Sequence, residues 1–583
     1  MSPDNRNLIA AMVLSLAILI GWQVFYVEPQ LEAERAIAQQ QAELAATDDL
    51  PQASASQAAS SDAGVAAVGA SQQSSDAAAS SAPRIVISTP KLSGSFSTAG
   101  ARLDDLVLLD YQTELNDTAE PVRLLHTKDS TLPYFMETGW VSADASQPVP
   151  ASQTIWQTDD TELTPDKPVR LFWDNQAGLV LERLIAIDED YLITITDTIT
   201  SNAESAVTIN PYGLVRRHGT PETTGIYILH EGPMGVFDGQ LSEKDYGDLR
   251  KAAAEGLAFT PEDAGGWIGI TDKYWLTALI PNQTENVSYS MRALGGAQAR
   301  YQTDFLGAAI SLAPGEQVSW TSHMFAGAKK LSVIDAYGEQ LKIENFDLAI
   351  DFGWFYFLTK PFFYALNILF GLFGNFGLAI IAFTIVIRIV MYPLASKSYR
   401  SMGKMRQLAP KIQEMRERHG DDRTKLNQEM MTLYKTEKVN PAAGCLPILV
   451  QIPIFFALYK VLYVSIEMRH APFYGWIQDL SDVDPTSILN LFGLLPYSVD
   501  GFPQFLSIGV WPILMGISMW VQMRLNPAPP DPIQAKIFQY MPIFFTFLLA
   551  GFPAGLVIYW TVNNLLSVAQ QWWITRSMQE KKS

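Results

Sequence analysis

The chain is poor in the residues and motifs that mark disulfide-linked domains and several enzyme classes. It has one cysteine, Cys445, among 583 residues, so no disulfide framework can form within a single chain. No HExxH, GxSxG or GxxxxGK[ST] segment occurs, and His218, His230 and His323 lack the spacing of metal ligands. The sequence therefore indicates no zinc hydrolase, serine hydrolase or nucleotide-driven machine, and we expect neither a metal nor a cofactor.

Two long segments have opposite net charges: one has few basic residues, and the other has few acidic residues. Residues 28–350 hold 20 Lys and Arg against 45 Asp and Glu, a net charge of −25. Residues 396–442 hold 11 against 6, a net charge of +5. Because Lys and Arg accumulate in the cytoplasmic loops of membrane proteins, this asymmetry indicates two different compartments.

The N-terminal region has an apolar run followed by a polar tract. Residues 8–27 are apolar over the length that a helix needs to cross a bilayer, which predicts a transmembrane anchor over residues 1–28. A cleaved signal sequence is the alternative, but the run is long for a signal core and no A-x-A site follows. Residues 29–83 end in a tract dominated by Ala, Ser and Gln, which predicts a flexible linker.

Short alternating segments fill residues 84–345. In LITITDTIT (192–200), the side chains of Ile193, Ile195 and Ile199 fall on one face of a strand and threonines on the other. Similar segments, separated by Gly, Pro, Asn and Asp, predict a large all-β sandwich. Arg216-Arg217 fits a solvated strand end better than a ligand site.

The C-terminal part carries the remaining apolar runs. Residues 346–375 are rich in aromatics and are split by Lys360-Pro361, which favours an amphipathic helix in the membrane interface over a broken span. Further runs predict a transmembrane helix over 376–395 and four more within 443–574. With the anchor, these make six transmembrane helices, so both termini lie on one side of the membrane.

Orientation follows from the basic residues near the predicted spans. The loop 396–442 and the tail 575–583 are both basic, so both are predicted to be cytoplasmic. The acidic β domain is then outside, which in a bacterium with two membranes is the periplasm. The sequence thus predicts a multi-pass protein of the bacterial inner membrane with both termini in the cytoplasm.

The loop 396–442 has the pattern of a cytoplasmic helical hairpin. Met402, Met405 and Met430 belong to apolar stripes with spacings of three or four residues. These methionines could simply pack the two helices together. Alternatively, they could form an adaptable surface for contact with varied apolar segments.

One arginine interrupts the apolar run TIVIRIVMYP (384–393). A charge near the middle of a membrane span costs at least ~2.5 kcal/mol, and such residues usually face a protein interior or a wet cavity. The predicted spans contain neither rings of charge nor internal repeats, so a channel or transporter is not favoured. Arg388 among amides and hydroxyls indicates a wet, positively charged hollow. The alternative is an arginine satisfied by helix-end carbonyls or reaching the cytoplasmic face.

Several segments carry a specific resemblance. The run TIVIRIVMYPLASKSYRSMGKMRQLAPKIQEMRERHGDD, together with EMRHAPFYGWIQDLS and FPAGLVIYWTVNNLLSVAQQ, resembles the YidC family of membrane protein insertases. The similarity covers roughly residues 350–580, and the anchor plus β domain match the Gram-negative members, so essentially the whole chain is covered. Two departures are Trp560, where the family commonly has tyrosine, and the longer segment 490–506, an external insertion.

The resemblance implies a five-helix insertase core around a hydrophilic groove that is open to the cytoplasm and laterally to lipid but closed toward the periplasm. We expect the groove to involve Arg388, Thr384, Gln451, Tyr559, Trp560 and Asn563. We expect a hydrophobic surface for the client's membrane segment at Ile452, Phe455, Phe545 and Phe547.

The implied function is insertion and folding of inner-membrane proteins, alone or together with the Sec translocon, without enzymatic chemistry. The implied partners are nascent membrane proteins, the Sec translocon, the ribosome and the lipid bilayer, with no nucleic acid bound directly. The β domain resembles sandwiches of the galactose mutarotase kind, and the sequence assigns it no function. The alternative is a polytopic transporter or channel with a periplasmic binding domain.

Overall fold

The computed structural model describes most of the chain from Ala82 onward. It describes residues 82–115, 118–142, 147–224, 229–295, 299–419, 423–437, 446–495, 499, 506–525 and 532–580. The predicted anchor 1–28, nearly all of the linker 29–83, Cys445, much of 490–506 and the last residues of the tail lie outside this description. The chain divides into two compact units between Ile350 and Asp351.

The first unit is built from strands, as the alternating pattern predicts. Its elements are β1 (Arg84–Ser88), β2 (Leu92–Ser97), β3 (Arg102–Gln112), β4 (Pro121–Leu125), β5 (Tyr134–Ser142), β6 (Glu162–Leu163), β7 (Val169–Asp174), β8 (Leu179–Ile187), β9 (Leu192–Ser201), β10 (Val207–His218), β11 (Gly232–Phe237), β12 (Gln240–Glu243), α1 (Tyr246–Ala254), β13 (Glu262–Ala264), β14 (Trp267–Thr271), β15 (Trp275–Ile280), β16 (Asn286–Leu294), β17 (Arg300–Gly307), β18 (Ile310–Leu312), β19 (Gln317–Ala328) and α2 (Leu331–Leu341).

The strands form two sheets. The first follows the order β13-β16-β17-β10-β5-β3-β2-β1-β6, with β4 beside β3 and β18 beside β10, and the second follows β12-β11-β14-β15-β19-β9-β8-β7. In β9 the side chains of Ile193, Ile195 and Ile199 are buried while the threonines between them are half-exposed, because successive residues of a strand face opposite sides. The predicted all-β sandwich is confirmed.

The second unit is helical. It comprises α3 (Tyr356–Phe373), α4 (Phe376–Val390), α5 (Tyr392–His419), α6 (Arg423–Thr436), α7 (Leu446–Val464), α8 (Val510–Leu525), α9 (Pro532–Leu549) and α10 (Ala554–Glu580). Short 3₁₀ turns lie at Phe346–Ala349, Ile466–Met468 and Ile488–Gly493.

By length and apolar composition, α3 is the one single helix of the described residues that could span a bilayer. Helix α4 and the first part of α5 pass the same test together, but they are bent by 65°. Shorter apolar stretches are Leu449–Val464 and Ala535–Leu549. The count of six transmembrane helices therefore stays a prediction.

Helix α4 begins and ends where its local sequence requires. The Asn375 side chain accepts a hydrogen bond from the Leu378 N–H at 3.0 Å, which caps the first turn. The helix ends at Val390, earlier than the predicted residue 395. Pro393 explains the difference, since it has no N–H for residue 389 and its ring disfavours a continuing helix. Helix α5 accordingly starts at Tyr392 rather than at residue 396.

Candidate functional site

Helices α4 and α10 lie side by side in a constant register. A Cβ added at Gly555 would lie 3.4 Å from Ile380 Cδ1, so these residues are in contact. Two turns further along both helices, Arg388 binds Asn563. Both pairs are 175 positions apart in the chain (555 − 380 and 563 − 388), so the two helices run in the same direction without slipping.

This register stacks side chains in levels along the interface. Ile380 and Gly555 form the first level, and Thr384 and Tyr559 occupy the next one, four residues later on each helix. Arg388 and Asn563 form the third. Because an α-helix rises about 1.5 Å per residue, the levels are roughly 6 Å apart. The interface changes from apolar to polar to charged over about 12 Å.

Arg388 is held by neutral partners. Its Nε and Nη2 donate to Asn563 Oδ1 at 2.9 and 2.6 Å, and Nη2 also donates to the Asn563 carbonyl at 3.2 Å. The Tyr399 hydroxyl lies beside the guanidinium and the Ser567 hydroxyl. Within the described residues, no carboxylate forms an ion pair with Arg388. The site therefore keeps a full positive charge in a half-buried position.

Two other predicted groove residues bind each other beside this cation. Gln451 of α7 donates from Nε2 to the Tyr559 hydroxyl at 2.7 Å, which joins α7 to α10. Thr384 is buried and donates to the carbonyl of Ile380 in its own helix at 2.6 Å. Arg388 with Asn563 and Gln451 with Tyr559 thus form two hydrogen-bonded pairs one turn apart along α10, with buried Thr384 close by on α4.

Trp560 lies in an aromatic cluster instead. Its indole packs against Phe455 of α7 and Phe545 of α9, with ring centroids 4.7 and 5.7 Å apart. The same side of α10 contacts an apolar cluster formed by Met515, Met519, Leu549 and Val557. Trp560 thus makes aromatic contacts rather than the hydrogen bonds seen around Arg388, and its place in the groove stays a prediction.

The predicted hydrophobic surface is divided between two environments. The side chains of Ile452 and Phe547 are exposed by 44% and 43%, whereas Phe455 and Phe545 are half-buried against Trp560. Sequence reasoning missed more strongly exposed apolar residues, and their recurrence on one side of each helix could have indicated them. They include Leu449, Ile537, Ile543 and Phe544.

The predicted hairpin consists of α5 and α6, which pack against each other. Lys411 and Glu437 form an ion pair at 3.0 Å between the two arms. Met402, Met405 and Met430 are half-buried, whereas Met431 is 53% exposed. The methionines therefore contribute to packing and also leave sulfur-bearing surface open. Gly420, which the sequence predicts to end the first helix of the hairpin, lies outside the described residues.

The β domain contains a buried ion pair that sequence reasoning missed. Arg183 Nε and Nη2 donate to the two Asp197 carboxylate oxygens, each at 2.7 Å, and these residues are 1% and 4% exposed. They face each other across β8 and β9. Opposite charges at core-facing positions of two neighbouring strands were the available signal.

Arg216 and Arg217 are also paired within the domain. Arg216 is 8% exposed and donates to Gln302 Oε1 at 2.9 and 2.6 Å, and Arg217 donates to Asp272 at 2.6 Å. They lie near a strand end as predicted, but the prediction that this end is solvated is wrong for Arg216. The side chain is buried because the amide of Gln302 on β17 satisfies its N–H groups.

A cavity of about 350 Å³ in the β domain brings together residues that the sequence left scattered. Its lining includes His126, His218, Arg217, Asp272 and Trp275. Burial lowers the pKa of His126, and the nearby positive charges of Arg123 and Arg217 lower it further. In the described part of the chain, no group of three or more His, Cys, Asp or Glu side chains is arranged to hold a metal ion.

These features define a class: a helical membrane protein whose core holds a half-buried arginine, joined to a large domain of two β-sheets. Family comparison matches residues 368–582 to the family described as "60Kd inner membrane protein" and residues 84–365 to the "YidC periplasmic domain". The membrane protein insertase YidC of Rickettsia bellii is 48% identical over 577 residues, which cover 99% of this chain and 100% of that protein. The corresponding protein of Bradyrhizobium diazoefficiens is 46% identical, with coverage of 99% and 97%. The chain therefore belongs to the YidC family of membrane protein insertases.

Solved structures were compared as well. A crystal structure of an active YidC insertase with its first transmembrane domain resolved is 17% identical, covers 84% of this chain and 92% of its own, and gives a TM-score of 0.35. A galactose mutarotase-like protein from Lactobacillus casei is 9% identical and matches 42% of this chain with a TM-score of 0.30. Membership of the YidC family implies an inner-membrane protein with a periplasmic domain, and nascent membrane proteins as its clients.

Proposed function

We propose that this protein inserts membrane proteins into the inner membrane by drawing their hydrophilic tails into the cleft around Arg388. The observation that supports this most directly is that Arg388 has neutral hydrogen-bond partners. Asn563 orients the guanidinium without cancelling its charge. An arginine neutralised by a carboxylate would attract an anion only weakly, whereas Arg388 keeps its charge and remains able to attract one.

The physical advantage lies in the path of the tail. Bare charges and unpaired peptide groups are costly in hydrocarbon, so a polar tail crosses an intact bilayer slowly. A cleft lined by amides and hydroxyls replaces part of this path with hydrogen-bonding groups. Attraction between Arg388 and an acidic tail strengthens as the surrounding dielectric constant falls. The barrier to transfer is therefore lowest when the tail is acidic.

The client's apolar segment needs a separate surface, which exposed side chains beside the cleft can provide. Ile452 on α7 and Phe547 on α9 lie on the helices that flank Trp560. Phe544 is still more open, at 61% exposure. An apolar segment that packs on these residues would remain in contact with lipid while its tail enters the polar cleft. No covalent bond is made or broken, so we classify the activity as non-enzymatic.

Helix α3 supports this arrangement as an interfacial helix. It continues through Lys360-Pro361 without a break. The residue before α3, Phe355, stacks with Phe456 near the middle of α7, and Phe370 near the other end of α3 stacks on Phe376 at the start of α4. In the proposed topology the start of α4 lies on the periplasmic side, and Asp351, a few residues before α3, pairs with Lys460 toward the periplasmic end of α7 at 2.7 Å, so α3 would extend along that side rather than cross the membrane.

The basic hairpin and tail are proposed to meet clients and ribosomes on the cytoplasmic side, and the protein is proposed to work alone or with the Sec translocon. This requires a multi-pass topology with both termini in the cytoplasm. Photo-crosslinkers at Met431 and at half-buried Met405 should both capture a ribosome-bound nascent chain, Met431 more efficiently because it is 53% exposed. A hairpin that captures no nascent chain from either position would contradict this role.

The decisive experiment uses purified protein in lipid vesicles. We expect accelerated insertion of a small phage-coat-like client, measured by protection of its transferred tail from protease. Vesicles without protein serve as the control. The transporter or channel alternative predicts solute flux without client insertion, and that result would overturn the proposal.

A further inference from the structure

The segment between α7 and α8 contacts the beginnings of three core helices. We call residues 465–488 the outer segment. Its Pro472 carbonyl accepts from Asn375 at the start of α4 at 3.1 Å, and its Asp484 carboxylate accepts from the Trp511 N–H of α8 at 2.9 Å. Its Asp482 carbonyl accepts from the Ala554 N–H of α10 at 2.7 Å. One continuous segment thus joins the same ends of α4, α8 and α10.

Leu480 of this segment covers the first, apolar level of the α4–α10 interface. Its carbonyl accepts from the Gly555 N–H at 3.0 Å, and a Cβ added at Gly555 would lie 3.5 Å from Leu480 Cβ and 3.4 Å from Ile380 Cδ1. The absence of a side chain at Gly555 allows this close approach. Ile380, Leu480 and Leu556 are each at most 1% exposed. The polar cleft therefore ends in a dry layer about 12 Å from the level of Arg388.

Asp484 fixes the outer segment in place. Its Oδ1 accepts from Trp476 Nε1 at 3.1 Å and from the Thr486 N–H and hydroxyl at 3.0 and 2.6 Å, while Oδ2 accepts from the N–H of Trp511. The residue is 6% exposed. A carboxylate at a helix N-terminus is stabilised by the helix dipole and by the unpaired N–H groups there. These contacts connect the segment to the start of α8.

We propose that Leu480 is the plug that closes the cleft toward the periplasm and that Asp484 is the residue that positions it. This rests on the proposed function, since a cleft that admits charged tails from the cytoplasm needs a barrier at its other end. The dry layer blocks ions because a charge entering an apolar constriction loses its hydration. The plug lets the insertase keep a wet, charged cleft without allowing ions to leak across the membrane.

The test measures leakage and insertion in the same vesicles. Full-length protein is reconstituted with a pH gradient, and a trapped dye reports the loss of the gradient. Leu480→Ser and Asp484→Ala should lose the gradient severalfold faster than wild type while still inserting the phage-coat-like client. Leu480→Met keeps an apolar side chain of similar volume and should stay tight.

A matched control is available two residues from Asp484. Asp482→Asn removes the same charge, but Asp482 is exposed and holds α10 through its main-chain carbonyl. This variant should stay tight. Vesicles with folded Leu480→Ser and Asp484→Ala that hold the gradient as long as wild type would overturn the plug.

If either variant fails to fold, Leu480→Ala and Asp484→Asn make the same comparison with smaller changes, and tight vesicles would again reject the proposal. Failure of wild type to insert the client would reject the proposed function instead, so the two failures are distinguishable.

Discussion

Arginines are buried in both units of this protein, but their partners differ. In the β domain, Arg183 is fully buried and forms two parallel hydrogen bonds with Asp197. In the helical unit, Arg388 is half-buried and binds an asparagine and its carbonyl. The first arginine is electrically neutralised, whereas the second keeps its charge.

The difference reflects what each unit requires. A folding core needs buried charges to be compensated, since an unpaired one is strongly destabilising. Trp140 reinforces the pair by donating from Nε1 to Asp197 Oδ2 at 2.7 Å, and the Thr138 carbonyl accepts from Arg183 Nη1 at 2.9 Å. A cleft that receives acidic tails needs the opposite arrangement. Hydrogen bonds from neutral groups orient Arg388 while its net charge remains available to a client.

The largest effect expected from this comparison is on the stability of the β domain. Arg183→Ala leaves Asp197 buried without its partner, so we expect the free energy of unfolding to fall by about 3–5 kcal/mol. Urea unfolding of a fragment covering residues 82–350, followed by tryptophan fluorescence, measures this change. The double variant Arg183→Met, Asp197→Leu removes both charges and should recover most of the loss. A single variant as stable as wild type would show that the pair is not needed.

The second effect is on insertion and should depend on the client. Arg388→Ala should slow insertion of clients with acidic tails roughly tenfold, or about 1.4 kcal/mol, because the cleft loses the positive charge that attracts them. Clients with neutral tails should be affected much less. Matched clients that differ only in tail charge, assayed in vesicles, give both rates.

Two variants sharpen this result. Arg388→Lys keeps the charge but loses the fork on Asn563, so it should retain most activity and the preference for acidic tails. Arg524→Ala removes a different cation, which stacks over Trp520 at 4.6 Å at the end of α8, and should not change that preference. Equal slowing of both client types by Arg388→Ala, in a folded protein, would assign Arg388 a structural role.

The smallest effect on insertion is expected from deletion of the β domain, although this variant removes the most residues. Deletion of residues 84–340 should leave insertion close to the wild-type rate, because the residues proposed to contact the client all lie in the helical unit. Expression level and insertion of the phage-coat-like client are the measurements. A stably expressed deletion variant that inserts nothing would show that the β domain is required for insertion.

Much of the architecture was predictable because periodicity is a local property. The alternation in β9 gave the buried face that contains Ile193, Ile195 and Ile199. The end of α4 at Val390 was harder to predict from the sequence, because the apolar run continues past Val390 while Pro393 ends the helix. The burial of Arg216 was missed because its partner, Gln302, is 86 residues away in the chain.

The candidate site divides in the same way. Arg388 stood out because a charge in an apolar run is anomalous by itself, and Tyr559 and Thr384 followed from the family resemblance. Trp560 makes aromatic contacts while Tyr559 binds Gln451, since neighbouring residues of a helix point in directions about 100° apart and a two-residue motif does not say which one faces polar groups. The exposed side chains on α9 required knowledge of which face packs against α8.

The sequence by itself determined the two-unit plan, the all-β domain, the helical core and the presence of a cation within it, because composition and periodicity record which faces are buried. Only the tertiary structure decided the partners: Asn563 for Arg388, Asp197 for Arg183, and Leu480 against Gly555. Those contacts join residues 14 to 175 positions apart. Folding of the chain brings these residues together, and no local sequence pattern predicts which of them will meet.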